Sequence, residues 1–259
     1  MINPPAIAGG TDFEAKHISS LKELQNMNVC MEDLKEISVR FETSSPEAVL
    51  EWGLQEFGSG MALVTGFGVE GCVLMDMVAQ LSRTTRILYL DTGLLFPETY
   101  DLCERLQERY GVTIERHATQ LSLAEQAKTY GEKLWETNPD ECCRLRKIEP
   151  LRAALAGLTA WVTGIRREQS GSRANADLVE WDAKFGLVKI NPLAFWSHDE
   201  VWDYIRQKNV PYNPLYERDY ASVGCMPCTT PVQIGEDPRA GRWRGKKKTE
   251  CGLHWVLPA

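Results

Sequence analysis

Short apolar runs alternate with longer segments of helical spacing along most of the chain. Apolar runs bounded by turn residues predict buried strands, and apolar residues three or four apart predict amphipathic helices. The predicted strands are 61–65, 87–90, 113–116, 160–163 and 187–190. The predicted helices are 47–57, 72–81, 97–110, 121–130, 144–155 and 198–208. Because strands alternate with helices, we expect an α/β fold with a mostly parallel, doubly wound sheet covered on both faces.

Capping residues and prolines mark some of the element boundaries. Ser197 and Glu200 have the spacing of a capping box, which predicts that the last helix begins directly after Ser197. Pro46 stands where the first helix can begin. Pro150 falls inside the helix predicted over 144–155, where it either kinks that helix or begins a second piece.

Composition divides the chain into three segments. Residues 1–45 carry no sheet signal and are expected to be mobile or helical. Residues 46–235 hold the alternating pattern and form the expected α/β domain, in which the Pro- and Gly-rich stretch after Asn209 is an irregular cap. Residues 236–259 form a basic and, we expect, mobile tail.

Gly-rich or polar loops follow three of the predicted strands. These loops span 66–71, 91–93 and 164–167. An open parallel sheet binds ligands at the carboxyl ends of its strands, so the three loops are expected to share one ligand site. Backbone N–H groups of the first loop, together with the start of the next helix, can cradle an anion. A Gly-rich loop alone is weak support, because many such loops are only tight turns.

Charge and composition narrow the classes of function. The chain has 259 residues, 43% of them hydrophobic, and a net charge of −7, so the protein as a whole is not suited to coat nucleic acid or a membrane. The chain shows neither a signal peptide nor an apolar run of membrane-spanning length. We expect a cytoplasmic protein with reduced thiols, in which eight cysteines serve metal binding, a cluster or catalysis rather than disulfides.

The tail concentrates positive charge just before a cysteine, Cys251. Neighbouring cations lower a thiol pKa, which raises the fraction of nucleophilic thiolate, and the same cations attract an anionic substrate. This pattern indicates a nucleophile on a mobile arm, and a surface cysteine beside a solubilising charge run is the alternative. The preceding basic residues are Arg239, Arg242, Arg244, Lys246, Lys247 and Lys248.

Four further cysteines form two pairs, Cys142 with Cys143 and Cys225 with Cys228. Four thiolates suit either tetrahedral zinc or a [4Fe–4S] cluster. Adjacent helical residues diverge by about 100°, so the first pair converges poorly on one ion, and a cluster with separate corners is favoured. A redox disulfide within the second pair remains an alternative. Lys147 follows Cys143 by four residues and is expected on the same helix face.

Three motifs together resemble the cluster-containing sulfonucleotide reductases, and more closely the bacterial assimilatory adenylylsulfate (APS) reductases that use thioredoxin. The motifs are CCRLRKIEPL at 142–151, CMPC at 225–228 and ECGLH at 250–254. The resemblance implies an adenine nucleotide alpha hydrolase-like fold and a [4Fe–4S] cluster held by the four paired cysteines. It also implies that Cys251 is the catalytic nucleophile.

The resemblance further implies the residues that bind substrate. The expected phosphosulfate contacts are Lys147, Arg239, Arg242 and His254. The expected nucleotide-loop contacts are Thr65, Gly66, Gly68, Leu90, Asp91, Gly164, Arg166 and Arg173. Thr65 stands where the family generally has Ser, and the SGGxDS motif of related ATP-cleaving enzymes is absent, which argues against ATP pyrophosphatase activity.

The implied activity is that of a thioredoxin-dependent adenylyl-sulfate reductase, an oxidoreductase acting on sulfur in sulfate assimilation. APS would be reduced to sulfite and AMP through a Cys251 thiosulfonate. A reductase of the 3′-phosphorylated nucleotide (PAPS) is the nearest alternative. Family members that lack the cluster cysteines generally take PAPS, so the four cysteines favour APS, although some cluster-containing members accept both nucleotides. A cluster-dependent tRNA-thiolating enzyme and a zinc module with a nucleic-acid-binding tail are the others. Thioredoxin is the expected partner, and a homo-oligomer stays an open alternative.

Overall fold

One six-stranded sheet organises the protein. The computed structural model describes residues 27–254, with side chains from residue 33 onwards. The strands are β1 (Met61–Thr65), β2 (Arg86–Asp91), β3 (Ile114–Ala118), β4 (Ala160–Val162), β5 (Val179–Asp182) and β6 (Leu187–Ile190). Their order is β3-β2-β1-β4-β6-β5, and only the β5–β6 pair is antiparallel. The chain moves outwards from β1 to β3 and then returns to β4 on the other side of β1, so a ligand-binding crevice is expected between β1 and β4.

Helices cover both faces of the sheet, as the alternating pattern predicts. The helices are α1 (Met27–Arg40), α2 (Pro46–Phe57), α3 (Val69–Leu81), α4 (Pro97–Tyr110), α5 (Leu123–Tyr130), α6 (Leu134–Thr137), α7 (Pro139–Cys143), α8 (Glu149–Ala154) and α9 (His198–Lys208). Alternate strand residues enter different clusters: Leu63 belongs to the large core, whereas Ala62 and Leu88 pack with Ala154 of α8. The capping box at Ser197 is confirmed, since its hydroxyl accepts from Glu200 N–H. Within 27–254, no helix has the length and apolar character needed to cross a membrane.

The segment between α7 and α8 departs from regular helix. Arg144–Ile148 forms a π-helix, and the N–H of Glu149 donates to the carbonyl of Arg144, five residues back. Pro150 explains this change, because its ring nitrogen has no hydrogen to donate to the carbonyl four residues before it. Of the two effects expected for Pro150, the second occurs: α8 begins beside it.

The N-terminal part of the described chain packs on the sheet, in contrast to the segment boundary expected at residue 45. Leu34 of α1 is buried, and Lys35 pairs with Asp177 at 2.9 Å. The hydroxyl of Ser38 accepts from the N–H of Leu178 at 3.0 Å, just before β5. Residues 27–40 therefore belong to the same folded body, while the rest of the expected 1–45 segment lies outside the described residues.

Candidate functional site

A cavity of about 250 Å³ opens at the carboxyl ends of β1, β2 and β4, at the crevice that the strand order predicts. The three loops expected to share a site all contribute to it, together with Lys147 and the tail. The predicted residues that line it are Thr65, Gly66, Gly68, Leu90, Lys147, Gly164, Arg166, Arg173, Arg239, Arg242, Cys251 and His254. Residues distant in sequence thus meet in one place.

The loop after β1 builds the floor of the cavity around Thr65. The Thr65 hydroxyl accepts from the N–H of Phe67 at 3.0 Å, which folds the loop back on itself. Phe67 adopts φ 58°, a conformation that costs energy for a residue with a side chain, and its ring is buried. A Cβ on Gly71 would lie 2.4 Å from the Thr65 hydroxyl, so only glycine fits there. Gly68 caps α3, whose N terminus lies in the cavity wall and favours a bound anion.

Asp91 is the one predicted substrate contact that does not line the cavity. Its carboxylate accepts from Gly93 N–H at 2.8 Å, from the Tyr100 hydroxyl at 2.7 Å and from Arg116 Nε at 2.6 Å. Burial opposes ionisation of this carboxyl, but the three donors outweigh burial and lower its pKa. Asp91 therefore shapes the loop after β2, and its neighbour Leu90 faces the cavity instead.

Arg166 lines the cavity with its charge already paired. Its Nε donates to Glu70 at 2.9 Å, and its Nη1 donates to the Trp196 carbonyl at 3.2 Å. The Arg166 side chain is 5% exposed. Since a buried guanidinium with a carboxylate partner has little charge left to attract an anion, Arg166 mainly joins the loop after β4 to the start of α3.

Arg173 and Arg239 hold the tail through Glu250. Arg173 Nε and Nη2 donate to the two carboxylate oxygens of Glu250, both at 2.9 Å, and Arg239 Nη2 lies 3.1 Å from the same carboxylate. Burial opposes ionisation of Glu250, yet these cations and the Ser170 hydroxyl lower the pKa of its carboxyl. Arg239, a predicted phosphosulfate contact, and Arg173, a predicted nucleotide-loop contact, are thus both engaged by the residue that precedes Cys251.

Lys147 and Arg242 are the cations left without a carboxylate in this cavity, within the part of the chain that the structure describes. Arg242 Nη1 donates to the Ser222 hydroxyl at 3.2 Å, and its guanidinium lies over the Trp243 ring. Unpaired cations in a partly enclosed cavity attract anions strongly, because water screens them only in part. These two side chains are therefore the best placed to bind an anionic group.

The thiol of Cys251 is half-buried in the same cavity. Burial opposes its ionisation, but Lys147, the backbone N–H of Leu253 and Arg242 outweigh burial and hold its pKa below the ordinary value. A thiol with a lowered pKa beside cations is an activated nucleophile. Cations thus lower the thiol pKa, but the larger contribution comes from Lys147 outside the tail, and Arg242 is the tail cation that contributes.

The described part of the tail, up to residue 254, is docked across the edge of the cavity. Leu253 packs against the cluster around Trp161, and the His254 ring stacks on Trp161 with centroids 5.7 Å apart. Lys184 Nζ donates to the Gly252 carbonyl. Burial, followed by the surrounding cations, holds the pKa of His254 well below its ordinary value, so the imidazole is neutral at neutral pH. The last five residues lie outside the described part.

The four paired cysteines line a second, smaller cavity next to the first. Lys147 and Cys225 line both cavities, and Arg146 lines the second one. Burial raises the pKa of the Cys142 thiol to about 12 and that of Cys143 to about 11. Among the described cysteines none forms a disulfide, and over residues 27–254 no three ligating side chains converge closely enough for a single metal ion. The four cysteines instead line one shared cavity.

Sequence reasoning missed several residues that build the site. Arg144 and Arg146 look alike in sequence, yet Arg144 is exposed while Arg146 is 4% exposed and donates to the Thr92 carbonyl at 2.8 Å. Glu250 and Trp161 were also missed as tail contacts. Neither a single acidic residue nor an aromatic residue in a strand has a local sequence signal for such a contact. Only the position of Glu250 directly before Cys251 could have indicated its role.

Comparisons with known proteins agree with this architecture. The adenosine 5′-phosphosulfate reductase of Salinibacter ruber is 49% identical over 222 residues, covering 85% of this chain and 88% of that protein. The phosphoadenosine 5′-phosphosulfate reductase of Gloeobacter violaceus is 44% identical, covering 90% of this chain and 98% of that protein. The crystal structure of a PAPS reductase from Candida auris, in a phosphate complex, is 32% identical with a TM-score of 0.68, covering 77% of this chain and 97% of that one.

A family model agrees with these likenesses. The phosphoadenosine phosphosulfate reductase domain matches residues 23–231, which include β1 to β6 and all four paired cysteines but end before Cys251. The resemblance and the adenine nucleotide alpha hydrolase-like fold expected from the three motifs are confirmed. On the sheet order, the shared cavity and these matches, the chain belongs to the phosphoadenosine phosphosulfate reductase family.

Proposed function

We propose that this protein is a cytoplasmic enzyme of sulfate assimilation that reduces APS to sulfite and AMP with thioredoxin as reductant. This proposal rests chiefly on one observation: Cys251, with a lowered thiol pKa, shares a cavity with the start of α3 and with two cations, Lys147 and Arg242, that have no carboxylate partner among the described residues. The names of the relatives support this activity, since several are adenosine 5′-phosphosulfate reductases.

The first step is attack of the Cys251 thiolate on the sulfate sulfur of APS. A sulfur–sulfur bond forms, the bond from that sulfur to the bridging oxygen breaks, and AMP leaves with the electron pair. The enzyme then carries Cys–S–SO3⁻. Lys147 and Arg242 offset the negative charge of the sulfonate and of the leaving phosphate. Electrostatic stabilisation of this kind is usually the largest contribution to the rate of such a transfer.

The second step returns the enzyme to its starting state. A thioredoxin thiolate attacks the Cys251 sulfur, sulfite leaves, and a mixed disulfide forms. The second thioredoxin thiol then displaces Cys251, so the dithiol becomes a disulfide and supplies both electrons of the reduction. Splitting one difficult transfer into two easier ones is the usual advantage of covalent catalysis.

The second cavity suits a [4Fe–4S] cluster. Its donor set is four thiols on Cys142, Cys143, Cys225 and Cys228, the number that such a cluster takes, and the neighbouring cations Arg146 and Lys147 would offset its negative charge. A bound cluster would supply an electrostatic influence on the adjacent substrate site. Iron and sulfide analysis tests this assignment, and one zinc without sulfide would overturn it.

APS is preferred over PAPS on the cysteine content of the chain. The comparisons include relatives named for APS and for PAPS, so they support a sulfonucleotide substrate. Experiment must decide whether that substrate carries a 3′-phosphate. Rates measured side by side on the two nucleotides give the answer, and a strong preference for PAPS would refute the choice.

Mass spectrometry of the intact protein tests the central step. After incubation with APS and without a reductant, we expect an adduct of one SO3 on the peptide that contains Cys251, together with one AMP released. The Cys251→Ser variant should show neither while keeping its iron. A wild-type protein that stays unmodified and releases no AMP would refute the proposal.

A further inference from the structure

Glu250 is the most heavily coordinated carboxylate of the tail. Besides Arg173 and Arg239, the hydroxyls of Ser170 and Ser172 donate to it at 3.1 and 3.3 Å. Its side chain is 11% exposed. A carboxylate with several charged and neutral donors in a nearly closed site is held in one position, because any other position leaves buried cations unpaired.

Two separate segments form this receptor for Glu250. Arg173, Ser170 and Ser172 come from the short turns that follow β4. Arg239 comes from the tail itself, and its Nη2 also donates to the Thr249 carbonyl at 2.8 Å. The contact therefore ties the end of the tail to the carboxyl edge of the sheet at a single residue.

Cys251 follows Glu250 directly, so the fixed position of Glu250 limits where the thiol can lie. Consecutive Cα atoms are about 3.8 Å apart, and a residue beside a fixed neighbour has little freedom. On the far side, Gly252 has φ 82° and its carbonyl accepts from Lys184. The nucleophile is thus held between two anchored residues.

We propose that Glu250 is a positioning residue that holds Cys251 beside Lys147 through its contacts with Arg173 and Arg239. This inference rests on the proposed function. Apart from Arg166, which pairs with Glu70, the lysine and arginine side chains of the cavity divide into two pairs. Arg173 and Arg239 hold the tail, while Lys147 and Arg242 remain for the anionic group of the substrate. Arg173, expected from the resemblance to bind substrate, acts on the nucleophile through Glu250.

Hydrogen–deuterium exchange without nucleotide tests the anchor. We expect Glu250→Gln to speed exchange of the peptide over 249–254 by roughly tenfold or more, since removing one partner of a buried ion pair is costly. The Glu236→Gln variant is the matched control, because Glu236 also pairs with an arginine, Arg244 at 2.8 Å, but does not line the cavity. Unchanged exchange of the β1 and β4 peptides shows that each variant is folded.

Arg173→Gln separates a tail receptor from a substrate contact. If Arg173 acts through Glu250, this variant speeds tail exchange as Glu250→Gln does, and combining the two substitutions adds little. Faster exchange only upon combination, or unchanged exchange in either single variant, would overturn the proposal. None of these measurements uses APS, so they hold even if the proposed activity fails.

Steady-state kinetics supply the functional readout. Glu250→Gln and Arg173→Gln should release Cys251 from its position but leave Lys147 and Arg242 in place to bind substrate. We therefore expect both variants to lower kcat at least tenfold and to leave KM for APS within a few fold. A raised KM with an unchanged kcat in either variant would instead show that the pair binds substrate, which would also overturn the proposal.

Discussion

Single residues decide how much positive charge reaches the nucleophile. Lys147 lines the cavity without a carboxylate partner in the described chain, whereas Arg144 is exposed and already paired with Glu141 and Glu149. We expect Lys147→Ala to lower kcat/KM for APS by about a hundredfold, as loss of one stabilising charge does in comparable sites. Arg144→Ala should change it only a few fold, since exposed ion pairs contribute little. Equal losses in the two variants would contradict the different roles.

His254 makes docking of the tail depend on pH. Its pKa is lowered when docked, so an undocked tail binds a proton at a higher pH than a docked tail does. Docking is therefore strongest above the ordinary histidine pKa and weakens as pH falls below about 6.5. Besides burial, the cations responsible are Arg173, Lys189, Arg239 and Lys184.

The measurement is hydrogen exchange of 249–254 at about pH 7.5 and about pH 5.5, corrected for the intrinsic rate. The wild-type tail should lose protection at the lower pH. The His254→Phe variant keeps an aromatic ring against Trp161 without a titrating nitrogen, and its protection should hardly change. An equal loss in both proteins would assign the pH dependence to another group.

Residue identity alone predicts chemistry better than it predicts burial. Cys251 and Lys147 could be singled out because a thiol among cations and a cation one helical turn from a cysteine carry local signals. The sequence could not show that Arg146 is buried and Arg144 exposed. Arg146 is buried against Gln126 and Thr92, which lie far away in sequence and accept its hydrogen bonds. Asp91 was expected to contact substrate from the family resemblance, and the sequence did not indicate that its carboxylate would be held by Arg116 from another strand.

The loop between β1 and α3 allows a test of how its backbone geometry affects substrate binding. The Thr65 hydroxyl supports the strained Phe67 through one hydrogen bond. We expect Thr65→Ser, which keeps the hydroxyl, to leave KM for APS within a few fold. Thr65→Val leaves the Phe67 N–H unpaired in a buried position, which costs about 1–3 kcal/mol and should raise KM roughly tenfold or more. Equal KM values in the two variants would show that this bond does not support binding.

Most elements follow from periodicity, and the exceptions have physical causes. The predicted strands all occur within a residue or two. The inner parallel strands are apolar because the sheet is covered on both faces, whereas the edge strand β3 is only partly buried. β5 was missed: it is a short antiparallel edge strand in which Glu180 and Trp181 stay partly exposed. The π-helix was also missed, because a proline in a helical pattern does not reveal how the preceding turn adjusts.

At the scale of the whole molecule, the site exists only because distant segments meet. The crevice between β1 and β4 could be predicted in outline from the rule for parallel sheets, and the family resemblance supplied most of its residues. Docking of the tail could not be predicted, because it depends on Glu250 reaching Arg173 and on Leu253 reaching the Trp161 cluster. Arg173 and Glu250 are 77 residues apart in sequence, so no local pattern encodes their contact.

The same reasoning applies to α1, which composition alone assigns to a separate segment. Leu34 is 5% exposed in the main core, whereas Val39 on the same helix is 53% exposed. We expect Leu34→Ala to lower the free energy of unfolding by about 2–4 kcal/mol, because it removes buried methyl groups and leaves a cavity. Val39→Ala should change it by less than about 0.5 kcal/mol, as exposed substitutions usually do. Chemical denaturation of the full-length protein, followed by tryptophan fluorescence, measures both, and equal effects would show that α1 adds nothing to the core.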